Sequence, residues 1–205
     1  MTWSEITVVA AALLLLLGWA VWVMASRLDR LHRKVGSSRA VLDNQLVRRA
    51  SAAAELAASG LLDPASSVLV GEAAWQALVV GAGDQELGEV NGPGLDPDVP
   101  LGGVDHVSRD LAESELSATV RAALADPEEV AALRAEPYGA ELLTALGAAW
   151  YRVQLARRFH NEAVAQARRV RRKTLVRVLR LQGHAALPAT VEIDDDAPEA
   201  LTQLR

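Results

Sequence analysis

The chain has 205 residues and is 51% hydrophobic yet only 4% aromatic, with a single Phe, so its core has to be built from Ala, Leu and Val. That composition favours closely packed helices over a β-sandwich or barrel. With no cysteine and four scattered His, disulfides and thiolate chemistry are excluded and a zinc site is disfavoured, while the formal charge of -5 says little about partners.

From Ile6 to Ala25 the chain reads ITVVAAALLLLLGWAVWVMA, an uncharged run that as a helix spans about 30 Å, the thickness of a bilayer's hydrocarbon core. Ile6 and Ala25 bound it and Leu15 marks its middle. Trp3 precedes it, and Trp19 and Trp22 lie near its far end, where amphipathic rings suit the headgroup zones. The leader MTWSE carries no Lys or Arg and the run is full length, which favours a transmembrane anchor over residues 1–26 rather than a signal peptide. Glu5 stands before the run, and Arg27, Arg30, Arg33, Lys34 and Arg39 follow it. The positive-inside rule then places the amino terminus outside and everything after Arg27 in the cytoplasm.

Beyond the anchor, charge falls in alternating blocks. Residues 27–49 carry seven basic and two acidic side chains, and residues 50–151 carry three basic and seventeen acidic. Residues 152–180 carry ten basic side chains and Glu162 as the lone acid, and residues 181–205 are acidic again.

Leu28, Leu31, Val35, Leu42 and Leu46 recur at roughly helical spacing, so the first helix is expected to continue past the anchor, weakened only at Gly36, and to end near Ser59-Gly60. Asp63-Pro64 supplies an N-cap and a first-turn proline for a second helix carrying Val68, Leu69, Trp75 and Leu78 and stopping near Gly81. Residues 82–103, rich in Gly, Pro and acids, read as a flexible loop. Helix resumes near Asp105, restarts at Asp126-Pro127 and again after Pro137, and the last helix is expected to run unbroken from Tyr138 to Gln182. Residues 183–205 read as a flexible acidic tail. The expected fold is all-α: a single transmembrane helix, then an antiparallel up-and-down helical bundle over residues 27–182 with long first and last helices.

Two stretches carry a family resemblance. RAVLDNQLVRR at 39–49 resembles the first helix of the LemA family of bacterial membrane proteins, with Gln45, Leu46, Arg48 and Arg49 on its Q-L-x-R-R element. ARRFHNEAV at 156–164 resembles that family's A-R-x-x-Y-N-x-A-V element, matched at Ala156, Arg157, Asn161, Ala163 and Val164, although His160 replaces the aromatic. The resemblance implies a single-pass anchor bearing an all-helical bundle with no established catalytic residues. The family is often drawn with its bundle outside the cytoplasmic membrane, whereas the flanking charges of this chain place it inside. A basic extension, RRVRRKTLVRVLRL, stands where the family's chain usually turns off.

No glycine-rich phosphate loop, nucleophile elbow or paired-histidine metal motif appears, so no catalytic residue, metal ligand or cofactor site is assigned. His160 and Asn161 suit helix-to-helix hydrogen bonding, with a ligand site near His160 as the alternative. Arg48 and Arg49 are expected to pair with acids of the middle helices. Arg168, Arg169, Arg172, Lys173, Arg177 and Arg180 form a basic, imperfectly amphipathic stretch. It suits either anionic lipid headgroups or the acidic block; nucleic acid is the weakest fit, because no aromatic interleaves the arginines. The function expected is a membrane-anchored scaffold or interaction protein without catalysis, meeting membrane lipid and an unidentified protein, with self-association left open. The alternative is a membrane-tethered enzyme or enzyme subunit with a site between helices.

Overall fold

Helix α1 (Trp3–Ala58) runs for 56 residues, about 84 Å at 1.5 Å per residue. Neither Gly18 nor Gly36 interrupts it. It stops where Gly60 takes φ +73°, a left-handed conformation that a Cβ would strain, and the Ser59 hydroxyl donates to the Leu56 carbonyl left open at the helix end. This computed structural model describes residues 3–90, 103–179 and 187–202.

Local signals start the next helices. The Asp63 carboxylate accepts the amides of Ala65 and Ser66 at 2.9 and 3.1 Å, and Pro64 opens α2 (Pro64–Val90). The helix does not stop at Gly81 as expected but continues to Val90. The remainder of the expected loop, 91–102, lies outside the described residues. Then come α3 (Gly103–Ala123) and α4 (Pro127–Ala135), the latter capped by Asp126 accepting the Glu128 amide at 2.8 Å. The last helices are α5 (Pro137–Arg171), α6 (Thr174–Val178) and α7 (Glu199–Thr202). Among the described residues there is no strand, so the chain is all-helical.

Two further expectations are corrected. The final helix is not continuous to Gln182: α5 ends at Arg171, the Lys173 amide makes a tightened bond to the Val170 carbonyl, and α6 restarts at Thr174. Nor is the acidic tail loose over residues 187–202. Val191, Ile193 and Asp195 are buried while Glu192 and Asp196 are exposed, the period-two burial of an extended segment laid on other elements.

The chain divides into two compact units, residues 39–160 with 191–205 and residues 1–38 with 161–190. In the larger, one cluster gathers Ala53 and Leu56 of α1, Val70 and Ala74 of α2, Leu116 and Val120 of α3, Val130 and Leu133 of α4, Leu143 and Leu146 of α5 and Leu201 of α7. A second joins Leu42 and Leu46 to Val153, Val191 and Ile193. Helix α2 packs on α3, buries Ala73, Ala74 and Ala77, and leaves Val68, Leu69 and Trp75 exposed. Small buried residues let helix axes approach closely, which is how a core with one Phe is filled. In the smaller unit Leu28 of α1 packs with Val170 of α5 and Val176 of α6.

Among the described residues two helices are long and apolar enough to cross a membrane, α1 and the stretch Pro64–Gly83 of α2. Their surroundings differ. Every side chain from Thr7 to Ala20 is exposed, whereas α2 contributes a buried face to its unit's core.

Candidate functional site

A buried ionic network in the larger unit is the most developed polar feature. Arg49 of α1 is 0% exposed, and such a charge is tolerated when it is paired and hydrogen-bonded; of its donors, Nε has no partner among the described residues. Its Nη2 donates to the Glu113 carboxylate at 2.8 Å and to the Glu113 carbonyl at 2.9 Å, and its Nη1 donates to the Ser117 hydroxyl at 2.9 Å. The face of the guanidinium lies over Trp150 of α5, 4.7 Å from the ring centroid, adding a cation–π contact inside a low-dielectric site.

The same indole leads to the ordered acidic segment. Trp150 Nε1 donates to the Asp195 carbonyl at 2.9 Å, and the Gln154 side chain donates to that oxygen at 2.8 Å. The Asp195 carboxylate takes a two-point contact from Arg157, at 2.8 Å from Nε and 2.7 Å from Nη2. Next to it Arg121 of α3 clasps Asp194, and the Asp194 amide donates to Ser114 at 3.0 Å. The Arg121 hydrogen bond holds the Asp194 carboxyl below its ordinary value against the opposing effect of burial, and Asp194 in turn raises the Arg121 guanidinium. Further along α3, buried Arg109 pairs with Asp43 of α1 at 3.4 Å, and Asp43 also takes the Arg39 side chain at 3.1 Å.

These contacts define what the arrangement can do. Arg109, Glu113, Ser117 and Arg121 fall four residues apart and so form one polar stripe along α3. Each charge in the stripe faces an opposite charge from another segment. The network therefore fixes which helices meet and in what register.

The residues singled out from the sequence divide accordingly. Arg49 and Arg157 belong to the network, and Arg49 meets the acidic partner expected on a middle helix. Leu46 and Val164 are buried packing residues, Gln45 is half-buried with its Oε1 unpartnered among the described residues, and Arg48 is exposed. His160 is buried, and Asn161 is half-buried in the other unit. Of the anchor residues, Ile6 lies within α1, Leu15 and Trp19 are exposed and Ala25 is half-buried; Trp19 and Trp22 stack obliquely at 5.6 Å. In the basic stretch, Arg169, Arg172, Lys173 and Arg177 are exposed, Arg168 donates to the Pro188 carbonyl at 2.8 Å, and Arg180 lies outside the described residues. Of the acidic block that this stretch was weighed against, Glu113 is engaged by Arg49.

Sequence reasoning missed Glu113, Ser117, Trp150 and Asp195. The four-residue spacing on α3 was the available signal for the first two. The alternation Val191, Ile193, Asp195 was the signal for the last.

Compared with known families, curated proteins and solved structures, the chain matches none of them.

Proposed function

We propose that this is a single-pass membrane protein of the LemA type. Its amino terminus lies outside the cell membrane, and an antiparallel up-and-down helical bundle on the cytoplasmic side serves as a scaffold for protein partners rather than as a catalyst. One contrast carries this reading: the buried charges of the larger unit neutralise one another, while large apolar side chains stand on its surface. Trp75 is 64% exposed, and with Val68 and Val79 it makes a stripe at helical spacing along α2; Tyr151, Leu155 and Phe159 make another along α5. Exposed aromatics in a row suit protein contact, whereas a catalytic site needs ionisable groups left available to substrate. The family relation is supported by where its motif residues fall, with Leu46 and Val164 in packing and Arg49 and Arg157 in the ionic network.

The test is site-specific photo-cross-linking of the full chain in native membranes, with the probe at Trp75 or at Phe159. A saturable adduct that disappears in Val68→Asp/Val79→Asp for the α2 probe, or in Tyr151→Asp/Leu155→Asp for the α5 probe, with helicity unchanged, is the expected result. Absence of any saturable adduct from both faces would contradict the scaffold reading.

A further inference from the structure

The smaller unit contains an elbow that the ionic network does not explain. An unbroken helix would place Val176 about 120° around the axis from Val170, so the break at Arg172-Lys173 is what brings both valines onto Leu28. Met24 and Leu31 flank this cluster. Within this unit the elbow is therefore moored to the turns of α1 that straddle the end of its apolar run at Ala25.

The surface of the elbow mixes two characters. Arg169, Arg172, Lys173 and Arg177 are exposed, and so are Arg27, Arg30 and Lys34 on α1. Among them Val178 is 72% and Leu179 44% exposed. The described acidic side chains of this unit are Asp29, which pairs with Arg33, and Glu162, which accepts from Gln166. Among the described residues of its own unit, the cationic surface thus has no matching anionic surface.

We propose that residues 172–179 form an interfacial foot that binds the anionic phospholipid headgroups of the bilayer crossed by α1. Arg172, Lys173 and Arg177 meet the phosphates, and Val178 and Leu179 enter the headgroup–acyl boundary. The proposal rests on the anchor reading above. Charge complementarity selects the anionic surface, the apolar pair selects lipid over an acidic protein segment, and the mooring at Met24–Leu31 sets the depth.

The absence of cysteine allows a direct test on the full-length chain. Single-cysteine variants Val178→Cys and Leu15→Cys, each carrying bimane, are reconstituted in phosphatidylcholine vesicles and in phosphatidylcholine–phosphatidylglycerol vesicles, with brominated acyl chains as quencher. Bromine is expected to quench Leu15→Cys in both vesicles and Val178→Cys chiefly in the anionic ones. The Val178→Cys signal should fade with salt and fall in Arg172→Gln/Lys173→Gln/Arg177→Gln, whose lipid-bound equilibrium drops by up to roughly 100-fold. Quenching at Leu15→Cys without quenching at Val178→Cys overturns the foot and leaves the anchor standing. Equal quenching at Val178→Cys in both vesicles overturns headgroup selection, and no quenching at Leu15→Cys overturns the anchor and the foot together.

Discussion

The guanidinium of Arg49 rests 4.7 Å from the ring centroid of Trp150, and the indole beneath it donates its one hydrogen to the main chain at Asp195. A single aromatic side chain thus couples α1, α5 and the extended acidic segment. Replacing Arg49 by Met keeps much of the contact with the ring and removes the charge, which leaves Glu113 buried at 1% exposure without its cation. The expected loss is about 3–5 kcal/mol, and the double variant Arg49→Met/Glu113→Leu should recover a substantial part of it. Denaturant unfolding of the single and double variants checks this.

Deleting residues 187–205 should be costly. It removes Val191 and Ile193 from their cluster with Leu42, Leu46 and Val153, and it strips Arg121 and Arg157 of their carboxylates. Burial of two such side chains contributes roughly 1.5–3 kcal/mol each. The melting temperature of the truncated chain should fall by about 10–20 °C, measured by circular dichroism in detergent. A truncated chain that melts like the parent would show the segment to be dispensable.

How much could be read in advance follows from which forces are local. The capping carboxylates of Asp63 and Asp126, each followed by proline, and the left-handed Gly60 act within a turn of their own position, so the helix ends they set are visible in the sequence. The break after Arg171 has no such signal. No proline or glycine marks it, and it is set by Val176 reaching Leu28, a residue far away in the chain. The same holds for Asp195, whose acidic neighbours suggest a solvated tail until Arg157 and Arg121 are brought beside them. In α2 the alanines Ala73, Ala74 and Ala77 are buried while Trp75 is exposed.

Two glycines should respond oppositely to alanine. A Cβ on Gly139 would sit 2.1 Å from the Leu133 carbonyl oxygen where α4 turns into α5, so Gly139→Ala should cost about 1–3 kcal/mol. A Cβ on Gly36 meets nothing within 4 Å, and Gly36→Ala should stabilise α1 by up to about 1 kcal/mol. Thermal unfolding of the two variants beside the parent reads both signs.

Two titrations should shape the acid side of the stability profile. His32 is held below its ordinary value of 6.5 first by burial and then by the Arg171 charge, with Asp29 opposing. As pH falls below about 6.5 the unfolded chain takes up this proton before the folded one does, so stability erodes there, and His32→Gln should flatten that limb. Asp194 is depressed below 3.8 by Arg121, so its contribution is present above that value and is lost as pH falls through the lower folded one. Arg121→Gln should remove that second limb. Melting temperature against pH for the parent and the two variants separates them.

The proposed topology has one membrane crossing, by α1, with all that follows on a single side. Single cysteines at Ser4, Ser51 and Ala82, all exposed positions, report it through a membrane-impermeant thiol reagent applied to intact cells and to inverted vesicles. Ser4→Cys should label only from outside, and Ser51→Cys and Ala82→Cys only from the cytoplasmic face. Labelling of Ser51→Cys and Ala82→Cys from opposite faces would make α2 a second span, and labelling of both from outside would reverse the orientation; either contradicts the account.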